Sequence, residues 1–235
     1  MKKVVVLQSN YIPWKGYFDL IHDADVFIFY DDVQFTKNDW RNRNKIKCPQ
    51  GTQWLSIPVG TEKNRHICEV TLNEKNWQKT HWETIRQQYG KCEYFSRYQP
   101  FFEQIFLHTE WTNLSSLNQQ LIKKISSQIL CIETEFGDSR AFELTGQKQD
   151  RLLDLLKQTK ATHYISGPSA KSYIDEFAFD AAGINLIWKD YAGYPEYNQK
   201  HAPFEHGVSI LDLIFNEGPN SSRYIWGWRN EQLSQ

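Results

Sequence analysis

The sequence predicts an α/β fold, a mostly parallel sheet with helices on both faces and a helical middle segment. Two observations carry this. Short runs of β-branched and apolar residues, of the kind buried on both faces, recur along the chain. Between them lie segments whose apolar residues repeat at helical spacing, so strand and helix alternate as in βαβ units.

Val4–Leu7 is the first apolar run and Val26–Tyr30 the second, the latter ending in Asp31 and Asp32. Gly16–Ala24 fits one short helix between them, with Phe18, Leu20 and Ile21 turned inward, which makes the two strands parallel neighbours. Trp54–Val59 reads as a third strand ending near Pro58. The region from about 74 to 130 reads as a helical insertion. Within it, Trp77–Tyr89 is one helix, and Leu114, Leu117, Leu121, Ile122, Ile125 and Ile129 line the apolar stripe of another. Ile132–Gly137 then reads as a strand, Gln147–Gln158 as a helix, Tyr164–Ser166 as a short strand, and Ser172–Ala182 as a helix closed by Gly183. Asn185–Trp188 is the last strand. Ser209 is placed to cap a final helix over Ile210–Phe215, stopped by Gly218-Pro219. This order gives a Rossmann-like sheet, expected as one domain over residues 1–235, since no repeat or composition break divides the chain.

Bulk properties narrow the function. The 235 residues are 40% hydrophobic and 23% charged, a globular balance. A net charge of −1 lacks the broad basic footprint of a nucleic-acid binder. No apolar run reaches the roughly 20 residues that a membrane span needs, and Met1-Lys2-Lys3 leads into too short an apolar run for a signal peptide. A cytoplasmic protein with reduced thiols is expected. Cys48, Cys68, Cys92 and Cys131 form no CxxC pair, and no histidine set has compact ligand spacing, so no metal site is expected. Aromatic residues are abundant at 15%, which suits a core and equally suits stacking platforms for sugars or bases.

Ligands of open parallel sheets bind beyond the carboxyl ends of the strands. The first strand delivers Gln8, Ser9, Asn10, Tyr11 and Trp14 there. The second delivers Asp31 and Asp32 and then Lys37, Asn38, Arg41, Asn42 and Arg43. Guanidinium and ammonium groups clamp phosphates, asparagine both donates and accepts, and tryptophan stacks on rings. These residues are expected to line one cleft, although a solvated basic loop balanced by Asp31, Asp32 and Asp39 would read the same way. A third cluster, His163–Tyr173, places Ser166 and Gly167 where a strand runs into a helix start, an anion site or a plain capped turn. His81, on the predicted Trp77 helix, is either a general base near neutral pH or a histidine packed beside Trp77.

The turn Pro13-Trp14-Lys15-Gly16-Tyr17 resembles the HxGH signature of nucleotidylyltransferases, with Trp14 and Tyr17 at the histidine positions. Loss of both histidines argues against adenylyl transfer. A longer resemblance runs through Gln8–Tyr17, Asp31-Asp32-Val33-Gln34, Trp40–Asn44, Trp54–Val59, Tyr164–Gly167 and Ser209–Asn216. In these blocks the chain looks like the WbqC-like protein family, whose members are found among genes for O-antigen and other surface glycans. The resemblance implies sugar modification, in particular transfer of an acyl or aminoacyl group from a carrier thioester onto the amine of a nucleotide-linked deoxyamino sugar. Under that reading His81, Asp31 or Asp32 is the base, with no tightly bound cofactor and an acyl carrier protein as candidate partner. Two rival readings stay open. One is a magnesium-dependent nucleotidylyltransferase or ligase with Asp31 and Asp32 on the metal, and the other is a non-catalytic sugar- or carrier-binding protein.

Overall fold

A computed structural model describes residues 1–229. Five strands form one sheet: β1 (Lys3–Leu7), β2 (Val26–Phe29), β5 (Glu135–Asp138), β6 (His163–Ser166) and β7 (Asn185–Trp188). Their order is β5-β2-β1-β6-β7 and every neighbouring pair is parallel. In register, Val4 faces Val26 and Leu7 faces Phe29. The predicted βαβ start, closed by α1 (Lys15–His22), is present.

Alternation along the strands sends side chains into two separate cores. Val5, Phe27, Phe29 and Ile165 face the larger one, shared with α1, α2 (Asn76–Tyr89), α3 (Phe95–Phe106), α4 (Leu114–Lys124) and α7 (Ile210–Glu217). Val4, Val6, Ile28 and Tyr164 face the smaller one, covered by α5 (Lys148–Gln158) with Leu153, Leu155 and Leu156, and by α6 (Glu176–Ala181) with Phe179. Helices thus cover both faces, as the apolar runs require.

Three local expectations are corrected. The strand predicted at Trp54–Val59 runs over Gly51–Ser56 (β4) and does not join the main sheet. It pairs antiparallel with β3 (Arg43–Cys48) in its own two-stranded sheet, with Cys48 opposite Gly51. The basic loop expected after the second strand therefore gives way to strand from Arg43 onward. The hairpin buries Asn44, Ile46 and Leu55 while leaving Trp54 exposed. Finally, the helix expected from Ser172 starts at Glu176, because a 3₁₀ turn over Pro168–Ser172 comes first. The helical middle holds α2, α3 and α4. The apolar stripe of α4 continues past Lys124 into a π-turn, where the amide of Leu130 reaches back to the carbonyl of Ile125 at 3.0 Å. No helix among the described residues is long and apolar enough to cross a membrane.

Candidate functional site

β1 and β6 lie side by side, yet the chain leaves β1 toward β2 and leaves β6 toward β7. Their carboxyl ends therefore part around a crevice, the switch point where open α/β sheets take ligands. A cleft of about 640 Å³ opens there. Gln8 follows β1 into it, Ser166 and Gly167 follow β6, and Tyr30 flanks them from the end of β2. The opposite wall is the start of α5, with Lys148 and Gln149. A helix start carries free amide hydrogens and a partial positive charge, and exposed Lys148 adds a full one. Gln149 fixes the wall: its Oε1 accepts from the Asp175 amide at 2.7 Å and its Nε2 donates to the Asp175 carbonyl at 3.3 Å. Tyr173, 73% exposed, presents a ring at the mouth.

Both acidic candidates are engaged. Asp31 is fully buried; its Oδ1 accepts from the Ser9 amide at 2.8 Å, and its Oδ2 from the Ser115 hydroxyl at 2.5 Å and Gln119 Nε2 at 3.1 Å. It ties the loop after β1 to α4. Asp32 accepts from the Ser139 hydroxyl and from Arg151, whose guanidinium also lies 5.0 Å over the Tyr30 ring. Burial alone would raise the pKa of Asp32. The Arg151 and Ser139 hydrogen bonds and the Arg151 charge outweigh it and hold the carboxyl below its ordinary range. All four oxygens are thus occupied by protein donors.

The remaining candidates separate onto two surfaces instead of one. Arg41 stays with the cleft, donating from Nη2 to Gln8 Oε1 at 2.7 Å. Asn42 is buried and structural: its side chain donates to the Ile57 carbonyl at 3.0 Å and accepts from the Asn38 amide at 3.1 Å. Asn38 itself turns the chain at φ 62°, and Lys37 donates to the Gly60 carbonyl at 2.9 Å. Arg43 stacks on Trp54, 4.2 Å from the ring centre. It faces a second, shallower surface built by the β3–β4 hairpin around Trp40 and Trp14.

Tyr11 and His81 do not reach either surface. Tyr11 is fully buried and donates its hydroxyl to His81 Nδ1 at 2.8 Å, while His81 Nε2 donates to the Ser56 carbonyl at 3.2 Å. A carbonyl only accepts, so the proton sits on Nε2 and both nitrogens are committed. Burial pushes this imidazole down to about 4, against the opposite pull of the Ser56 carbonyl. His81 packs edge-on to Trp77 at 5.3 Å. The assignment of His81 as a base facing substrate is replaced by a packing role.

The HxGH-like turn is closed by its own side chain. A Cβ on Gly16 would lie 2.3 Å from the Trp14 ring, so that ring folds over the glycine where a phosphate would approach. Lys15 beside it is buried, with one hydrogen bond at 3.3 Å to the Pro195 carbonyl, and its ammonium lies 5.0 Å over Tyr194 and 5.4 Å over Tyr197. Burial pushes it down to about 8, opposed by Asp212, Asp19 and Glu196. Asp19, His22 and Asp23 bring ligand atoms within 4.8 Å of one another, but Lys189, Arg229 and Tyr194 already hold Asp19.

Sequence reading missed Lys148, Gln149 and Tyr30 as cleft residues, since only the sheet order brings α5 beside β1. Ser169 and Tyr173 fell inside the His163–Tyr173 cluster without being singled out.

A family model described as the WbqC-like protein family matches residues 8–224. A protein of Mycobacterium tuberculosis (strain ATCC 25618 / H37Rv), itself named as uncharacterized, is 46% identical over 227 residues, covering 96% of this chain and 98% of that protein. No solved structure matches the chain.

Proposed function

This chain belongs to the WbqC-like protein family, and from that premise we propose that it is a sugar-modifying transferase of surface-glycan biosynthesis. It moves an acyl or aminoacyl group from a carrier thioester onto the amine of a nucleotide-linked deoxyamino sugar. The switch-point cleft is the observation that supports this reading. Its helix start and Lys148 suit a diphosphate, Tyr30 and Tyr173 offer faces for base and sugar, and Gln8 and Ser166 offer partners for hydroxyls. The sugar nitrogen attacks the thioester carbonyl, a C–N bond forms, the C–S bond breaks, and the thiolate leaves. The departing sulfur can collect the proton that the amine gives up.

Lys148→Gln should weaken nucleotide-sugar binding by about 1.5–3 kcal/mol, the scale of a charge-assisted hydrogen bond. Titration calorimetry of both forms measures it, and equal affinities would reject the cleft. Incubating the wild-type protein with nucleotide amino sugar and acyl thioester should yield an amide detectable by mass. Binding without that product would instead mark a protein that presents the sugar to another enzyme.

A further inference from the structure

Trp40 is 41% exposed and forms a wall shared by two adjoining hollows. One, about 330 Å³, is walled by Pro13, Trp14 and Trp40, with Asn10 and Asn44 at its edge. The other, about 290 Å³, is lined by Asn38, Arg43, Lys45 and Trp54 together with Asp39. The first is aromatic and the second cationic. The acid in the second is spoken for: Asp39 accepts from the Thr36 hydroxyl at 2.9 Å and the Trp40 amide at 2.7 Å, and lies 3.4 Å from Arg41.

One residue lining each hollow also carries a buried side-chain atom without a partner among the described residues. In the aromatic hollow it is an acceptor, Asn10 Oδ1; in the cationic hollow it is a donor, Arg43 Nε. Such atoms cost free energy unless a ligand or water satisfies them. Asn44 is not available, because its side chain already serves the carbonyls of Tyr11 and Ile12 and the amide of Lys45. A ligand that matches the two hollows carries a phosphate at one end and, beyond it, an amphipathic chain that packs between the aromatic rings.

We propose that this groove binds the phosphopantetheine arm of the acyl donor, with its phosphate against Arg43 and Lys45 and its amide-bearing chain between Trp14 and Trp40. The inference rests on the transferase reading above. The groove also adjoins the cleft along the chain. Asn10 borders the groove and Gln8 borders the cleft, and two residues of chain span at most about 7 Å. The arm is borne by coenzyme A or by a carrier protein, and the chemistry of the groove is common to both.

The test is calorimetry with phosphopantetheine, pantetheine lacking the phosphate, coenzyme A, and phosphopantetheinylated and apo acyl carrier protein. Phosphopantetheine should bind the wild-type protein about tenfold or more tighter than pantetheine, the scale of one charge-assisted contact. Arg43→Gln should erase that ratio, and Trp40→Ala should weaken both compounds together. Comparing coenzyme A with the modified carrier protein identifies the source of the arm. The wild-type ratio needs no variant, so a variant that fails to fold leaves the test intact. No binding of any arm-bearing probe, or binding indifferent to the phosphate, would overturn the inference, and so would a groove that prefers free saccharides. Nucleotide-sugar binding sensitive to Lys148→Gln would still stand in that case. Conversely, arm binding without nucleotide-sugar binding would sink the transferase reading and keep the groove.

Discussion

Burial keeps His81 neutral down to about pH 4, whereas its ordinary value is 6.5. Between those values the unfolded chain takes up a proton that the native protein refuses. Stability from this residue is therefore complete above pH 6.5 and is lost as pH falls toward 4. The shift corresponds to at most on the order of 3 kcal/mol. His81→Phe should lower the melting temperature near neutrality, because the Tyr11 hydroxyl and Ser56 carbonyl lose their partner, and should flatten the acid-side slope. Melting curves of both forms from neutral to about pH 4 decide it; an unchanged slope in the variant would assign the pH dependence to other groups. The signal was present in the sequence. His81 falls one turn after Trp77, while Lys79, Thr80 and Glu83 take the wet side of that helix.

α4 ties together the loops that follow β1 and β2. It brings Ser115 and Gln119 to Asp31, and Asn118 to the Arg41 carbonyl at 2.8 Å. Its start is fixed by Asn113, whose Oδ1 accepts from the Ser116 amide at 2.9 Å and whose Nδ2 donates to the Cys68 carbonyl at 2.8 Å. Asn113→Ala should cost about 1–2 kcal/mol, read from urea unfolding midpoints, and an effect near zero would mean the helix start is held by packing alone. The elements differ in how legible they were. β1, β2 and β6 announce themselves because both faces are covered, which leaves little room for polar residues. β3 does not, since Arg43, Asn44 and Lys45 serve a hairpin whose outer side meets water. α3 was hidden by Pro100 inside it. The site followed the same division. Gln8, Ser166 and Gly167 were found by the rule for strand ends, but Lys148 depends on β6 lying next to β1, a long-range pairing no local pattern encodes.

Across the whole molecule the two cores are unequal. The face carrying α1 to α4 and α7 buries a continuous set from Val5 to Ile225, whereas the face under α5 and α6 buries only a small cluster around Leu155, Tyr164 and Phe179. Local opening takes least free energy where the fewest apolar contacts are broken. Amide hydrogens of α5 and α6 should therefore exchange faster than those of α2 and α4, as mass-resolved deuterium labelling would show; equal protection would mean that the sheet opens as one unit. The cleft lies between Gln8 on one side and the start of α5 on the other. A bound molecule therefore acts as a bolt across that seam. Its stabilisation grows as RT ln(1 + [L]/Kd), so any molecule that fills the cleft would lower the fraction of the weaker half that stands open.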